Sequence, residues 1–154
     1  MSEYDADIVM WADRQTGLLR RWAAGELVND SELDWPHIAE EIESVGNSER
    51  LALRSHIGTV LEHLIKLQAS PAIDPRKGWK AAVLHARSSI RRLLKSSPSL
   101  RREVAAMIAD ETPDAQRDVA TMLALYDEQP KVPIEGLTFT EDQVLGPWLP
   151  DEPA

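Results

Sequence analysis

The sequence of 154 residues predicts an all-α fold, a helical bundle of about six helices with a proline-rich C-terminal extension. Apolar residues recur in several stretches at the three-and-four spacing that places them on one face of a helix. No stretch alternates strictly between apolar and polar residues, as a half-buried strand does. Three dipeptides combine a capping residue with proline, a typical helix start: Asp74-Pro75, Ser97-Pro98 and Thr112-Pro113.

The stretch from residue 34 to residue 67 is predicted to organise the fold. An acidic helix starts at the capping residue Asp34, and Gly46 is expected to end it. Its apolar face consists of Ile38, Ile42 and Val45. A longer helix follows, and we expect its seam to lie at the centre of the core: Leu53, Ile57, Val60, Leu64 and Leu67.

The remaining helices are predicted from the same signals. The first is capped by Asp5 or Asp7 and ends near Gly25. Its apolar face contains Tyr4, Ile8, Trp11, Leu18, Leu19 and Trp22. The fourth helix buries Trp79, Val83, Ala86, Ile90, Leu93 and Leu94, and two more helices start at the later cap-proline pairs. Four tryptophans at helical spacing are expected in the core: Trp11, Trp22, Trp35 and Trp79.

The domain organisation predicted is a single domain, with a helical bundle over residues 1–126 and a tail over residues 127–154 packed on it. A long helix is excluded in the tail by five prolines: Pro130, Pro133, Pro147, Pro150 and Pro153. One short helix is compatible with the tail, because Thr140 and Gln143 form a capping box.

The charges are separated along the chain, whose formal net charge is -9. Eight acidic residues and no basic residue lie between Arg21 and Arg50. The segment 76–102 has no acidic residue and nine basic ones: Arg76, Lys77, Lys80, Arg87, Arg91, Arg92, Lys95, Arg101 and Arg102. Two interpretations follow, a nucleic-acid surface or two segments that dock on each other, and we favour docking.

Composition favours a cytoplasmic protein that needs no cofactor. The absence of cysteine excludes disulfides, thiolate zinc sites and cysteine catalysis, and suits a reducing compartment. The first residues are acidic rather than basic, unlike a signal peptide, and no apolar run has the length of a membrane span.

Several motifs resemble a bacterial family, domain-of-unknown-function family 29. They are the N-terminal YDAD, Asp34-Trp35 with Glu40-Glu41-Ile42-Glu43, Gly46 with Ser48-Glu49, His63-Leu64 with Lys66, and Trp79, Arg87 and Ile90 before Ser97-Pro98-Ser99-Leu100. The ending TFTEDQVLGPWLP is also similar. The resemblance implies a helical bacterial protein and no activity, ligand or cofactor.

A metal site is the most specific chemistry that the sequence suggests. Glu49, His56 and His63 recur every seven residues on one side of a helix, and Glu40 and Glu43 lie on the preceding helix. Carboxylates and imidazoles of facing helices hold metals in bundles, but the usual Glu-x-x-His signature is missing. We therefore predict no metal, and keep a metal-dependent hydrolase as the third hypothesis.

The predicted function is a non-catalytic interaction or adaptor protein, which binds a protein partner or a second copy. The candidate polar cluster comprises Glu41, Glu43, Glu49, His63 and Arg87. The alternative is nucleic-acid binding, with Lys80, Arg87 and Arg91 as phosphate-binding residues. In the docking interpretation, Arg87 pairs with a carboxylate of Glu41, Glu43 or Glu49.

Overall fold

Helices account for most of the chain in the computed structural model, which describes residues 1–150. Within that range there are six α-helices and no strand, so the predicted all-α class is confirmed. The helices are α1 (Glu3–Ala6), α2 (Ile8–Ala23), α3 (Trp35–Ala69), α4 (Arg76–Ser96), α5 (Val104–Leu125) and α6 (Glu141–Leu145). Short 3₁₀ turns span Asp30–Glu32, Pro98–Glu103 and Ile134–Gly136. Pro153 of the predicted tail lies outside the described residues.

Internal contacts divide the chain into two compact units, Met1–Ser48 and Glu49–Ala154. We call them the N-terminal unit and the C-terminal unit. The division falls inside α3, so that helix contributes residues to both units.

The C-terminal unit is built around the part of α3 that follows the division. The predicted seam residues are at most 1% exposed, which confirms this segment as the centre of the core: Leu53, Ile57, Val60, Leu64 and Leu67. Side chains of α4 and α5 pack against this face, as do Ile134, Phe139 and Val144 of the tail. The chain after α5 also bonds to the end of α3, because the Lys131 amide donates to the Ala69 carbonyl at 2.8 Å.

The N-terminal unit has a much smaller core, formed by Trp11, Leu18, Leu33 and Ile38. Asp7 caps α2 by accepting a hydrogen bond from the Met10 amide at 3.0 Å, as predicted. The chain leaves this helix at Gly25, whose φ of 80° lies in the left-handed region that glycine adopts without strain.

The predicted helix break at Gly46 is wrong, because α3 continues through this residue as one helix of 35 residues. A glycine in a helix interior costs only about 1 kcal/mol relative to alanine. Ending the helix there would leave backbone donors and acceptors on both sides to be satisfied by other groups. Glycine permits a helix end but does not require one.

The predicted helix start at Thr112-Pro113 is also wrong, since Pro113 lies inside α5. An internal proline removes one hydrogen bond and costs about 3 kcal/mol or more. Residues on both sides of it, including Ile108 and Val119, belong to the same buried core, and their packing keeps the helix continuous. The other proline signals mark real starts, although neither Asp74 nor Ser97 makes a side-chain cap.

Several apolar residues predicted to be buried are exposed in the N-terminal unit. Ile42 is 70% exposed and Val45 69%, so only Ile38 of the predicted acidic-helix face is in the core. Trp22 and Trp35 are also exposed, and their rings meet edge to face with centroids 6.0 Å apart. Helical periodicity identified a common face correctly, but no part of this unit covers it.

The continuity of α3 predicts opposite effects for two glycine substitutions. We expect Gly46→Ala to raise the free energy of unfolding by about 0.5–1 kcal/mol, because alanine is the better helix former. Gly78→Ala in α4 is the reference, since no atom lies within 4 Å of the added methyl group. Gly25→Ala should lower the free energy of unfolding by about 1–2 kcal/mol, because alanine is strained at positive φ. Urea unfolding measures the stability of all three variants. If Gly46→Ala destabilises the protein while Gly78→Ala does not, then α3 is not continuous at Gly46.

Candidate functional site

The predicted polar cluster comprises Glu41, Glu43, Glu49, His63 and Arg87, and the structure gives different partners to Glu41, His63 and Arg87. Glu43 is exposed and Glu49 is half-buried. Glu41 accepts a hydrogen bond from the Tyr4 hydroxyl. His63 lies one turn after Thr59, and its Nδ1 is 2.7 Å from the Thr59 carbonyl oxygen. Since a carbonyl only accepts, His63 Nδ1 carries the proton there. These side chains are therefore used for local structure.

The histidines and carboxylates considered as metal ligands are not assembled into a metal site. Residues 1–150 contain no group of three or more His, Asp or Glu side chains that could hold a metal ion. The spacing of Glu49, His56 and His63 along one helix is thus not matched by further ligands at the same place.

Arg87 is buried, with only 2% of its surface exposed, and its partners are backbone carbonyls. Its Nε donates to the Val144 carbonyl at 2.9 Å, and its Nη2 donates to the carbonyls of Gln143 at 2.6 Å and Trp148 at 2.7 Å. Val144 and Gln143 belong to the last turn of α6, where carbonyls have no partner within the helix. Arg87 of α4 therefore caps α6 and fixes the tail.

The predicted carboxylate partner of Arg87 is thus wrong. The three carbonyl oxygens supply the acceptors that a carboxylate would have supplied, and the end of a helix carries partial negative charge. Burial, and next to it the charge of Arg91, lower the pKa of Arg87 below its ordinary value. The acidic residues Glu26 and Glu32 pair with Arg21 and Arg14, within the N-terminal unit.

The predicted phosphate-binding stripe of Lys80, Arg87 and Arg91 is not one surface. Arg87 is buried and Lys80 is half-buried, whereas Arg91 is exposed. The exposed basic residues of α4 instead lie on another face of the helix, formed by Lys77, Arg91, Arg92 and Lys95.

Aromatic rings and carboxylates form a connected cluster in the N-terminal unit. The ring of Tyr4 stacks on the imidazole of His37, with centroids 4.0 Å and planes 15° apart. It also meets Trp11 edge to face at 4.9 Å. Asp34 accepts hydrogen bonds from Trp11 Nε1 at 3.0 Å and His37 Nδ1 at 2.7 Å. With the Tyr4 bond to Glu41, this N-terminal cluster joins α1, α2 and α3.

Gln15 extends the N-terminal cluster into the core, where it is 4% exposed. Its Nε2 donates to the Glu32 carbonyl at 3.2 Å, and its Oε1 accepts from the Asp34 amide at 2.9 Å. Both ends of the amide are therefore satisfied. The chain that enters α3 is held against α2 by side-chain bonds as well as by apolar packing.

These contacts change the pKa values of two members of the cluster. The hydrogen bond to Glu41 raises the pKa of Tyr4 to about 12, because the phenolate would face a carboxylate. The hydrogen bond from His37, with that from Trp11, lowers the pKa of Asp34 below its ordinary value. The contribution of Asp34 to stability is therefore present at neutral pH and is lost as pH falls through its lowered pKa.

A shallow groove of about 270 Å³ lies beside this cluster, between α2 and the start of α3. Its walls are mainly apolar, with Ile8, Ala12 and Leu19 on α2 and Ile38 and Ile42 on α3. Elsewhere the unit exposes further large apolar side chains: Val9, Met10, Trp22, Leu27, Trp35 and Val45.

A larger cavity of about 480 Å³ occurs in the C-terminal unit, lined by Trp79, Met122 and Tyr126. Its charged groups are engaged in local bonds. Lys66 pairs with Glu62 one turn earlier, and Glu128 accepts a hydrogen bond from Ser70 at 2.9 Å. The cavity thus offers aromatic walls, with polar groups that already have partners.

A family model described as domain of unknown function DUF29 matches residues 3–149. The chain belongs to this family. No curated protein and no solved structure matches it.

The residues that carried the DUF29 resemblance occupy distinct positions in the structure. Tyr4, Asp34 and Glu41 belong to the N-terminal cluster, and Arg87 caps the end of α6. His37 was missed in the sequence of this DUF29 chain, although it follows Asp34 by three residues and therefore shares its side of the helix. The carbonyl partners of Arg87 have no sequence signature at all.

The capping of α6 predicts a large stability effect of Arg87→Met. One buried and two partly buried carbonyls would lose a charged donor, so the free energy of unfolding should fall by roughly 2–4 kcal/mol. Limited proteolysis should then cleave the tail around α6 in the variant before it cleaves the rest of the chain. The control is Arg91→Met, whose side chain is exposed, and it should change stability by no more than about 0.5 kcal/mol. Equal effects of the two substitutions would contradict the cap.

The Tyr4 bond to Glu41 predicts an unusual tyrosine titration in this DUF29 chain. In a Tyr126→Phe background, Tyr4 is the only tyrosine, and its ultraviolet absorbance should report a pKa of about 12. Glu41→Gln should bring this pKa back towards the ordinary value of about 10. Glu43→Gln, at an exposed position, is the control. A pKa that does not respond to Glu41→Gln would show that the bond is absent in solution.

Proposed function

We propose that this chain is an interaction or adaptor protein of the bacterial cytoplasm, and that its N-terminal unit docks on a protein partner. The supporting observation is the exposed apolar surface of that unit. Soluble monomers rarely expose large contiguous apolar patches, and those that do often use them to bind other proteins. The bacterial cytoplasm is supported by the family resemblance and by a sequence without cysteine.

The two units differ in how they distribute large apolar side chains. The N-terminal unit buries four hydrophobic residues in its core and exposes nine large ones. The C-terminal unit buries twenty in its core and exposes six. A large share of exposed apolar side chains is therefore a property of the N-terminal unit rather than of the described chain as a whole.

The proposal includes no catalytic step and no cofactor. Its support is that the polar side chains of the N-terminal cluster are bonded to one another, as in the pairs of Tyr4 with Glu41 and Asp34 with His37. None of the helices within residues 1–150 is long and apolar enough to span a membrane.

Nucleic-acid binding by α4 is the second candidate function. It is favoured by the exposed basic residues Lys77, Arg91 and Lys95, in a segment without any acidic residue. The net charge of -9 opposes it, because a nucleic acid would be repelled by most of the chain.

Docking through the N-terminal unit predicts that exposed apolar residues are needed for partner capture and not for folding. We expect Ile42→Gln with Val45→Gln to leave the melting temperature unchanged and to abolish crosslinking to the partner in cells of the native host. Leu84→Gln with Leu125→Gln is the matched control, since these residues are also exposed but lie in the C-terminal unit.

A different result would support the second candidate. If the crosslinked species is a nucleic acid, and Arg91→Glu with Lys95→Glu abolishes its capture, then the basic face of α4 is the binding surface. Such binding should weaken steeply with salt, because phosphate contacts release counterions.

A further inference from the structure

We propose that the groove of the N-terminal unit binds a cationic amphipathic helix of a partner protein. This inference rests on the proposed function, and it specifies the chemistry of the partner. The apolar face of the partner helix would fill the groove, and its basic residues would face the acidic surface of the unit.

The groove has the shape of a site between two antiparallel helices. The Asp34 amide, just before α3, bonds to Gln15, and Trp11 contacts His37. Residue numbers therefore fall along α2 as they rise along α3. From Ile8 to Leu19 the α2 wall extends about 16 Å, at 1.5 Å per residue. The α3 wall, from Ile38 to Ile42, extends about 6 Å. A third helix in the groove would therefore contact α2 over about three turns and α3 over about one turn.

The floor of the groove is already ordered and its polar atoms are satisfied. Trp11 donates its indole N–H to Asp34, and Gln15 is bonded at both ends of its amide. The side chains that remain available to a ligand are therefore mainly apolar. Binding to a surface that is held in place beforehand avoids the entropic cost of ordering it.

Charge distinguishes among the possible occupants of the groove. Residues 1–48 contain eleven acidic and three basic side chains, so their formal net charge is -8 of the total of -9. Among the three arginines, Arg14 pairs with Glu3 and Arg21 pairs with Glu26.

A second copy docked through the same surface would place two units with a formal net charge of -8 each against one another, and they would repel. An anionic membrane would also be repelled. A basic helix is attracted to this surface and is oriented by it. The helix-in-groove mode is an established way for one protein to recognise another.

Binding of designed peptides to the full chain tests this inference. Three amphipathic peptides have the same apolar face of Leu and Ile. Their polar positions are all Lys in the first, all Gln in the second and all Glu in the third. A fourth peptide has the composition of the Lys peptide in a scrambled order. Calorimetry at low salt should show the Lys peptide binding about tenfold or more tighter than the Glu peptide, and no binding of the scrambled one. The advantage of Lys over Glu should shrink as salt is raised, because screening shortens the range of charge interactions.

Groove variants locate the peptide on the protein. Ile42 lines the groove, and Val45 follows it by one turn of α3. Ile42→Gln with Val45→Gln should weaken binding of the Lys peptide about tenfold or more, since two apolar side chains would no longer be buried by the peptide. Leu84→Gln with Leu125→Gln should leave the affinity unchanged.

Other outcomes overturn the inference in distinguishable ways. Equal affinity for the Lys, Gln and Glu peptides, lost in the groove variant, would preserve a docking function but refute the cationic partner. A dimer in sedimentation that the groove variant dissociates would show that a second copy occupies the groove. Groove-dependent binding to anionic vesicles would identify lipid as the occupant. If no peptide or vesicle binds and the chain is a monomer, then the groove is not a helix-binding site.

Discussion

The C-terminal unit depends on one buried face of α3, which begins at Leu53 and ends at Leu67. Every other helix of this unit, together with the tail, places apolar side chains in the core that surrounds this face. A fully buried Leu or Ile contributes about 1.5–3 kcal/mol relative to an exposed one, which is as large as most local conformational penalties. Helix α5 shows the consequence, because it remains continuous through Pro113 in spite of the missing hydrogen bond.

The tail depends on a different interaction, the capping of α6 by Arg87. A helix of five residues is too short to be stable alone, so its position must come from tertiary contacts. Val144 supplies apolar burial, and Arg87 satisfies the carbonyls at the C-terminal end of α6. Gln116 of α5 adds a hydrogen bond to the Leu137 carbonyl at 3.0 Å. Main-chain acceptors bond Nε and Nη2 of the buried guanidinium, while Nη1 is buried without a partner among the described residues. This arrangement avoids a second buried charge, whose desolvation would cost several kcal/mol.

Features set by local sequence were predictable, and features set by distant contacts were not. The Asp7 cap, the capping box of Thr140 with Gln143 and the buried face of α3 depend on neighbouring residues, and all three were predicted. The continuity of α3 at Gly46 was not predictable from the glycine, which permits both a helix interior and a helix end. The exposure of Ile42 was not predictable either, because it depends on whether another part of the unit covers that side chain. The partners of Arg87 are backbone atoms some sixty residues away, which no pattern of side chains indicates.

In the N-terminal unit, stability and exposed apolar surface come from different residues. Its four-residue core would support a two-helix element poorly, and the N-terminal cluster adds ring stacking and hydrogen bonds that do not require more apolar burial. Stacked aromatic pairs and charge-assisted bonds each contribute on the order of 1 kcal/mol. The unit can therefore hold α1, α2 and the start of α3 together without covering Ile42 and Val45. The fold does not use this surface. We therefore expect substitutions there to leave the fold intact, and substitutions at Tyr4, Asp34 or His37 to destabilise it.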